Sequence, residues 1–195
     1  VPGLKLSEAF YAEAVRPILD THWQGLAYSA ALVGSGSEVL GFDTPMSSDH
    51  HWGPRVMLFL SDVDYNRHRQ TIIDKLGNEL PFEFRGYSTH FSSPNPDDNG
   101  VQLLQPTTSR PINHRVELLT LRQYFNAEFD LEPNVPLTPT DWLTIPSQQL
   151  RAFTAGAVYH DSIGFGTIRE RFRYYPHDVW LYLLAAGWSR IGQEE

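Results

Sequence analysis

The sequence predicts an α/β (α+β) protein: a small mixed sheet with flanking helices, followed by a helical C-terminal segment. Three observations predict it. Short apolar runs of strand length at 26–34 and 55–61 alternate with longer stretches of helical spacing at 6–22 and 63–81. The run "RVMLFLS" is almost continuously apolar, as expected of a strand covered on both faces. The final stretch, "GTIRERFRYYPHDVWLYLLAAGWSRI", is predominantly helical, with Pro176 at a helix start.

Taken in order, residues 6–22 form the first helix. Ser7 can cap it, Phe10, Ala14, Val15, Ile18 and Leu19 fall near helical spacing, and Pro17 kinks it or ends its regular part. "LAYSAALVG" is a short strand closed by glycine, and "RVMLFLS" is the second strand. A helix over 63–81 has Asp64 near its start and Gly77 and Pro81 after its end. "FEFRGYSTHF" reads as a strand and "SSPNPDDNG" as a loop. "HRVELLTL" alternates as a third strand of the sheet, and "LRQYFNAEF" is helical. Pro133, Pro136, Pro139 and Pro146 mark the best boundary, giving a core over 1–131 and a helical segment over 132–195. No internal repeat or low-complexity tract is present.

Composition excludes several classes of function. The 195 residues are 41% hydrophobic and 13% aromatic, which is ordinary for a globular chain. Lys and Arg number 15 against 23 Asp and Glu, a net charge of −8, which argues against a nucleic-acid partner. The densest basic cluster is "TIRERFR". With no cysteine, disulfides, thiolate catalysis and cysteine-ligated zinc are ruled out, and a cytoplasmic setting is expected. No apolar run approaches the ~18 residues of a membrane span, so no membrane partner is expected. The first residues lack the order of a signal peptide and an initiator Met, while the last still have helical patterning. The expectation is that the parent chain is longer.

The stretch that bears chemistry is "AALVGSGSEVLGFDTPMSSDHHWGPRVMLFL". Gly34-Ser35 closes a strand, Gly41 follows in the loop, and Ser48-Asp49 opens the next strand. Glu117 lies between Val116 and Leu118 on a later strand. This layout resembles the signature of the polymerase-β-like nucleotidyltransferase superfamily. "GSGSEVLGFDTPMSSDHHWGPR", "GAVYHDSIGFGTIRER" and "YYPHDVWLYLLAAGWSRIGQEE" together look like a poorly characterised family of nucleotidyltransferase-like proteins, named only as a domain of unknown function.

The resemblance implies a sheet of nucleotidyltransferase type followed by helices. It also implies a divalent metal (Mg²⁺ or Mn²⁺), a nucleoside triphosphate as substrate, and an acceptor hydroxyl on a small molecule or protein. Metal ions hold the triphosphate and neutralise charge on the attacking and leaving oxygens. In this layout Asp49 is the principal metal ligand and Glu117 the second ligand or the base. Gly34, Ser35, Ser37 and Ser48 hold the nucleotide, glycine allowing close backbone approach to phosphate. One departure stands out: the second carboxylate falls at position 51, which is His51. Asp49 and His51 share a strand face, and histidine suits Mn²⁺, Zn²⁺ or Fe²⁺ better than Mg²⁺. The alternative is therefore a catalytically impaired nucleotide-binding or scaffold protein of the same fold. Glu38 and Asp43 are candidates to replace the missing carboxylate.

Other readings compete at particular residues. Asp49-His50-His51 is identical to the triplet of the DHH phosphoesterases, but their further acidic and histidine motifs are missing. No Walker A loop is present, because no Gly-Lys-Ser/Thr follows the glycines. Arg55 is structural at the strand entrance or a phosphate contact. Glu117 also reads as a salt-bridge partner of Arg115 or Arg122. His160 and Asp161 face the nucleotide, or Asp161 caps a helix. His177-Asp178 reads as a cap after Pro176. Tyr174, Tyr175, Trp180, Tyr182 and Trp188 are expected in core and interhelix packing rather than as a base-stacking platform.

Overall fold

The computed structural model describes residues 2–42, 52–96 and 100–193. The chain opens with α1 (Gly3–Phe10), a π-helical turn (Tyr11–Val15) and α2 (Arg16–His22), which follow one another without a break. Leu6, Phe10, Tyr11, Val15 and Leu19 are its buried stripe. Pro17 does not end it. With no N–H to donate, Pro17 sits in the first turn after the widened π segment, where the regular ladder is already interrupted. Ser7 is no cap: it lies inside α1, fully buried, and its hydroxyl donates to the Arg55 carbonyl at 2.6 Å.

The sheet is built from β1 (Tyr28–Leu32), β2 (Arg55–Leu60), β5 (Arg115–Thr120) and β6 (Ala157–Asp161). Among the described residues its order is β5-β2-β1-β6. β1 runs antiparallel to β2 and β6, whereas β2 and β5 are parallel, so the sheet is mixed as the sequence predicts. Every residue of β1 is buried, Ser29 among them, as in a strand covered on both faces. β6 falls inside the stretch read as helical, and its return to β1 carries the segment beyond residue 131 into the sheet.

Between β1 and β2 lies the short α3 (Ser37–Leu40). α4 (Asp62–Glu79) follows β2, and its cap is Ser61, whose hydroxyl accepts from the Asp64 N–H at 3.0 Å. Gly77 lies within α4, not beyond it. A Cβ there would stand 3.1 Å from Pro111 Cβ, so glycine allows the close approach of the segment before β5. The stretch read as one strand is instead a tight hairpin, β3 (Glu83–Phe84) and β4 (Tyr87–Ser88). Its corner residues Arg85 and Gly86 both take positive φ, 51° and 86°, the conformation of the favoured two-residue hairpin turns. Thr120 and Gln123 form a reciprocal capping box that starts α5 (Leu121–Phe129) directly at the end of β5.

After α5 come α6 (Pro139–Thr144) and α7 (Ser147–Thr154) before β6, then α8 (Phe165–Glu170) and α9 (His177–Ile191). Two apolar cores flank the sheet. Phe10, Val15, Leu58, Ile72, Leu76 and Leu118 unite the N-terminal helices and α4 on one face. On the other, Phe59, Phe125, Phe153, Phe165 and Phe172 unite α5, α7 and α8. Phe59 stacks on Phe165 at 4.5 Å, and Phe125 meets Phe153 edge to face at 5.3 Å, both favourable ring geometries.

The C-terminal aromatic residues correct the packing expectation. Tyr175 packs beside Trp142, but Trp180, Tyr182 and Trp188 are 48%, 60% and 73% exposed. Val179, in the first turn of α9, is its buried anchor. His177-Asp178 makes no side-chain cap: the helix follows Pro176 without one. No helix among the described residues is long and apolar enough to cross a membrane.

Phe153, 1% exposed, touches the rings of Tyr124, Phe125, Phe129, Phe165 and Phe172. Phe153→Ala is expected to destabilise the fold by about 3–5 kcal/mol. Urea denaturation checks this, with a lower midpoint at unchanged slope.

Candidate functional site

The antiparallel pairing of β1 with β2 sets the site. It brings the chain leaving β1 beside the starts of β2 and β5, which are parallel and in register, Arg55 opposite Arg115 and Met57 opposite Glu117. At this end of the sheet a cleft of ≈ 120 Å³ opens, lined by Gly34, Ser35, Arg55, Arg115, Glu117 and Glu128 with Met57 and Tyr124 among them. Gly34, Ser35 and Glu117 thus meet in one cleft. Ser37 begins α3 and is not among the lining residues. Asp43, Ser48, Asp49 and His51 lie outside the described residues. β2 begins at Arg55, after the irregular Trp52, Gly53 and Pro54.

The turn after β1 owes its shape to a buried ion pair. Arg55 Nε donates to Glu38 Oε1 at 2.8 Å, and its Nη2 donates to the Ser35 carbonyl at 2.9 Å. Both side chains are largely enclosed, 10% and 4% exposed. Gly36 takes φ 144°, and the space a Cβ would occupy is filled by the Arg55 guanidinium and the Glu38 carboxylate. Gly34 takes φ 88° and donates its N–H to the Ala152 carbonyl of α7 at 3.0 Å. Glu38 is therefore committed to Arg55 and does not stand in for a missing metal ligand. Arg55 is structural, its guanidinium occupied by Glu38 and Ser35.

On β5, Glu117 Oε1 accepts from Arg115 Nη2 at 2.9 Å, one of the two pairings expected for it. Arg122 instead lies 3.8 Å from Asp62 and 3.6 Å from Glu132. The Glu117 side chain is 42% exposed and that of Arg115 14%. Arg115 Nη1 also donates to Gln102 Oε1 at 2.7 Å. Tyr124 and Glu128 reach the cleft from one face of α5, four residues apart. Burial pushes the Tyr124 phenol well up, with the Glu128 charge adding to it, so Tyr124 stays neutral.

Glu117 and Glu128 are hard oxygen donors, the kind Mg²⁺ or Mn²⁺ takes. Among the described residues no group of three or more His, Asp or Glu is placed to hold a metal ion. Sequence reasoning did not assign Glu128 or Tyr124 to the site. The available signal was their i, i+4 spacing on the helix that follows the Glu117 strand.

His160 and Asp161 do not belong to the cleft. They sit at the opposite end of β6, where His160 packs on Tyr28 at 4.7 Å. Asp161 accepts the N–H groups of Gly164, Phe165 and Gly166 at 2.9, 3.0 and 2.8 Å and the Ser29 hydroxyl. This is the helix-cap reading, serving the start of α8. Partial burial raises the Asp161 carboxyl, but the Ser29 hydroxyl and the three backbone N–H groups outweigh it and hold it below the usual carboxylate range.

A family model described as a domain of unknown function (DUF4037) matches residues 142–195. This fits the resemblance to a poorly characterised family. The matched stretch holds α7, β6, α8 and α9 and none of the residues that line the cleft. No curated protein and no solved structure matches the chain.

Two outcomes are expected. Glu38→Gln leaves the Arg55 charge buried without its counter-ion and should destabilise by about 3–5 kcal/mol, whereas replacing both residues by Met should cost far less. Denaturant titration of the single and double variants checks this. The Asp161 carboxylate stabilises the fold above its unfolded pKa of about 3.9, and that contribution is lost as pH falls through the lower folded value. Asp161→Asn should flatten the acid limb of stability against pH below about pH 4. Urea midpoints from about pH 6 to pH 2 give the comparison.

Proposed function

We propose that the chain is a nucleotidyltransferase-like protein whose cleft takes a nucleoside triphosphate with a divalent metal ion. The transferred group would be the nucleoside monophosphate, and the acceptor a hydroxyl of a small molecule or protein. The observation that supports this is the meeting of Gly34-Ser35, from the end of β1, with Glu117 of β5 in one cleft. These are the two halves of the superfamily pattern, far apart in sequence. The net charge of −8 favours a small-molecule or protein acceptor over nucleic acid. The absence of cysteine favours a cytoplasmic setting.

In this reading the Gly34-Ser35 turn receives phosphate by close backbone approach. Asp49 and Glu117 would hold the metal, and Glu128 lines the same cleft as Glu117. The ion supplies charge neutralisation on the phosphate oxygens and the departing pyrophosphate. The acceptor oxygen bonds to the α-phosphorus as the bond from that phosphorus to the β-phosphate oxygen breaks. The hydroxyl proton passes to a carboxylate of the cleft.

A second reading, a catalytically impaired nucleotide binder, is favoured by one feature of the geometry. Glu117 is held by Arg115, and the sequence has His51 where a second carboxylate would stand. Hydrolysis through Asp49-His50-His51 has no comparable support, because none of the described lining residues is histidine.

Calorimetry with each of the four nucleoside triphosphates, in Mg²⁺ and then Mn²⁺, tests the proposal. Binding is expected to require metal and to weaken at least about tenfold, ~1.4 kcal/mol, in Asp49→Asn. Pyrophosphate release in the presence of a panel of hydroxyl compounds or the protein itself separates transferase from binder. Binding without release supports the impaired binder. No binding of any triphosphate would sink the nucleotide reading.

A further inference from the structure

α9 has 15 residues, yet Val179 in its first turn is its one buried residue. From Val179 to Ser189 the run "VWLYLLAAGWS" carries no charge. A helix apolar around most of its circumference is normally enclosed by protein. At 3.6 residues per turn, His177, Trp180, Leu181, Leu184, Trp188 and Ile191 fall on one stripe, opposite Val179 and the half-buried Ala186. Leu181, Leu184, Trp188 and Ile191 follow the 3-4-3 spacing of a helix-pairing seam and are 47%, 43%, 73% and 60% exposed.

The two ends of the stripe differ in shape. At the start of α9 a recess of ≈ 490 Å³ opens among Arg173, Tyr174, Tyr175, His177 and Trp180. Toward the other end Trp188 stands out into solvent, and Leu184 lies midway, four residues from each tryptophan. A recess and a projection at opposite ends of one stripe are self-complementary. Two copies related by a two-fold axis at Leu184 run antiparallel, and Trp188 of each meets the recess of the other. The same pairing lays the Asp178 end of one helix beside the Arg190 end of its mate, with the helix dipoles opposed. Glycine weakens a helix interior relative to alanine, and a Cβ at Gly187 would meet nothing within 4 Å in a single copy. In the pair, Gly187 comes opposite Trp180 of the second copy and gives it room. Stripe and recess rim expose on the order of 600 Å² per copy, so the pair buries roughly 1,200 Å² in all, enough for a specific interface.

We propose that α9 is a dimerisation helix whose partner is a second copy of this chain, packed antiparallel about Leu184 with Trp188 seated in the aromatic recess of the other copy. A tryptophan enclosed by aromatic rings and an arginine is the usual form of an interface anchor. Because the two-fold arrangement uses the same patch on both copies, association closes at the pair. The recess and the stripe lie within the stretch matched by the domain of unknown function and share no residue with the cleft. The dimer therefore stands or falls independently of the nucleotide reading.

Sedimentation velocity from about 1 to 200 μM tests this, the expected mass rising with concentration and levelling at twice that of one chain. Trp188→Glu should weaken the pair at least about tenfold with an unchanged far-UV circular dichroism spectrum, and Trp188→Phe should fall between it and wild type. The chain has no cysteine of its own, so single cysteines report the register. Under mild oxidation Leu184→Cys should form a disulfide-linked pair. Leu181→Cys should not, because its two copies stand about 9 Å apart along the helices, beyond disulfide reach. The mass of one chain at every concentration would overturn the proposal, and co-sedimentation of that monomer with phosphatidylcholine vesicles would give the face to a lipid surface instead. Mass that grows without levelling would also overturn it, as would self-linkage at both 181 and 184, the mark of parallel helices, or wild-type association in Trp188→Glu.

Discussion

The buried pair of Arg55 and Glu38 is the constraint around which the functional end of the molecule is arranged. Enclosing two charges is costly unless their remaining donors and acceptors are met, and here the surroundings meet them. The guanidinium also serves the Ser35 carbonyl, and the Arg55 carbonyl accepts from buried Ser7. Glu38 is pressed from behind by Gly3, where a Cβ would overlap its side chain. The N-terminal helix, the turn after β1 and the start of β2 are thus tied at one point. Gly36 is obligatory there, because its φ of 144° and the arginine above it leave no room for a side chain.

From that point the rest of the cleft follows. β2 begins at Arg55, and its parallel register with β5 places Arg115 and Glu117 beside it. The C-terminal segment backs the cleft from outside its lining: the Ala152 carbonyl of α7 fixes the Gly34 N–H, and Phe153 packs against Tyr124 beneath the cleft. β6 can lie against β1 because Gly156 takes φ 79° where a Cβ would collide with the Leu32 carbonyl. The stretch matching the domain of unknown function therefore contributes no lining residue, yet supports the turn that does.

Legibility in the sequence followed the range of the interaction. β2 and β5 were readable because burial on one or both faces leaves a local apolar imprint, and α4 and α5 because their stop and start residues lie within a few positions. β6 was not, since "AVYHD" is half-buried at an edge and shows neither alternation nor an apolar run. The aromatic side chains of α9 misled because aromatic content signals capacity for burial, while burial itself depends on what packs alongside. At the site, Gly34, Ser35 and Glu117 stood out as a spaced pattern. The commitment of Glu38 to Arg55 left no trace, because a carboxylate in a glycine-rich loop looks the same whether it faces a metal or an arginine. Glu128 and Tyr124 reach the cleft only through the direction in which α5 leaves β5.

The electrostatics of the cleft also resolve an apparent conflict. A chain of net charge −8 has no field to draw in a polyphosphate, and long-range steering works against it. On the proposed reading, recognition would rest on short-range groups that act once the ligand has arrived. Arg115 qualifies because it is largely shielded from solvent by its neighbours, so contact with it is less screened than contact with a surface lysine. The acidity of the protein is compatible with the proposed anionic substrate if that substrate arrives already neutralised in part by a bound cation.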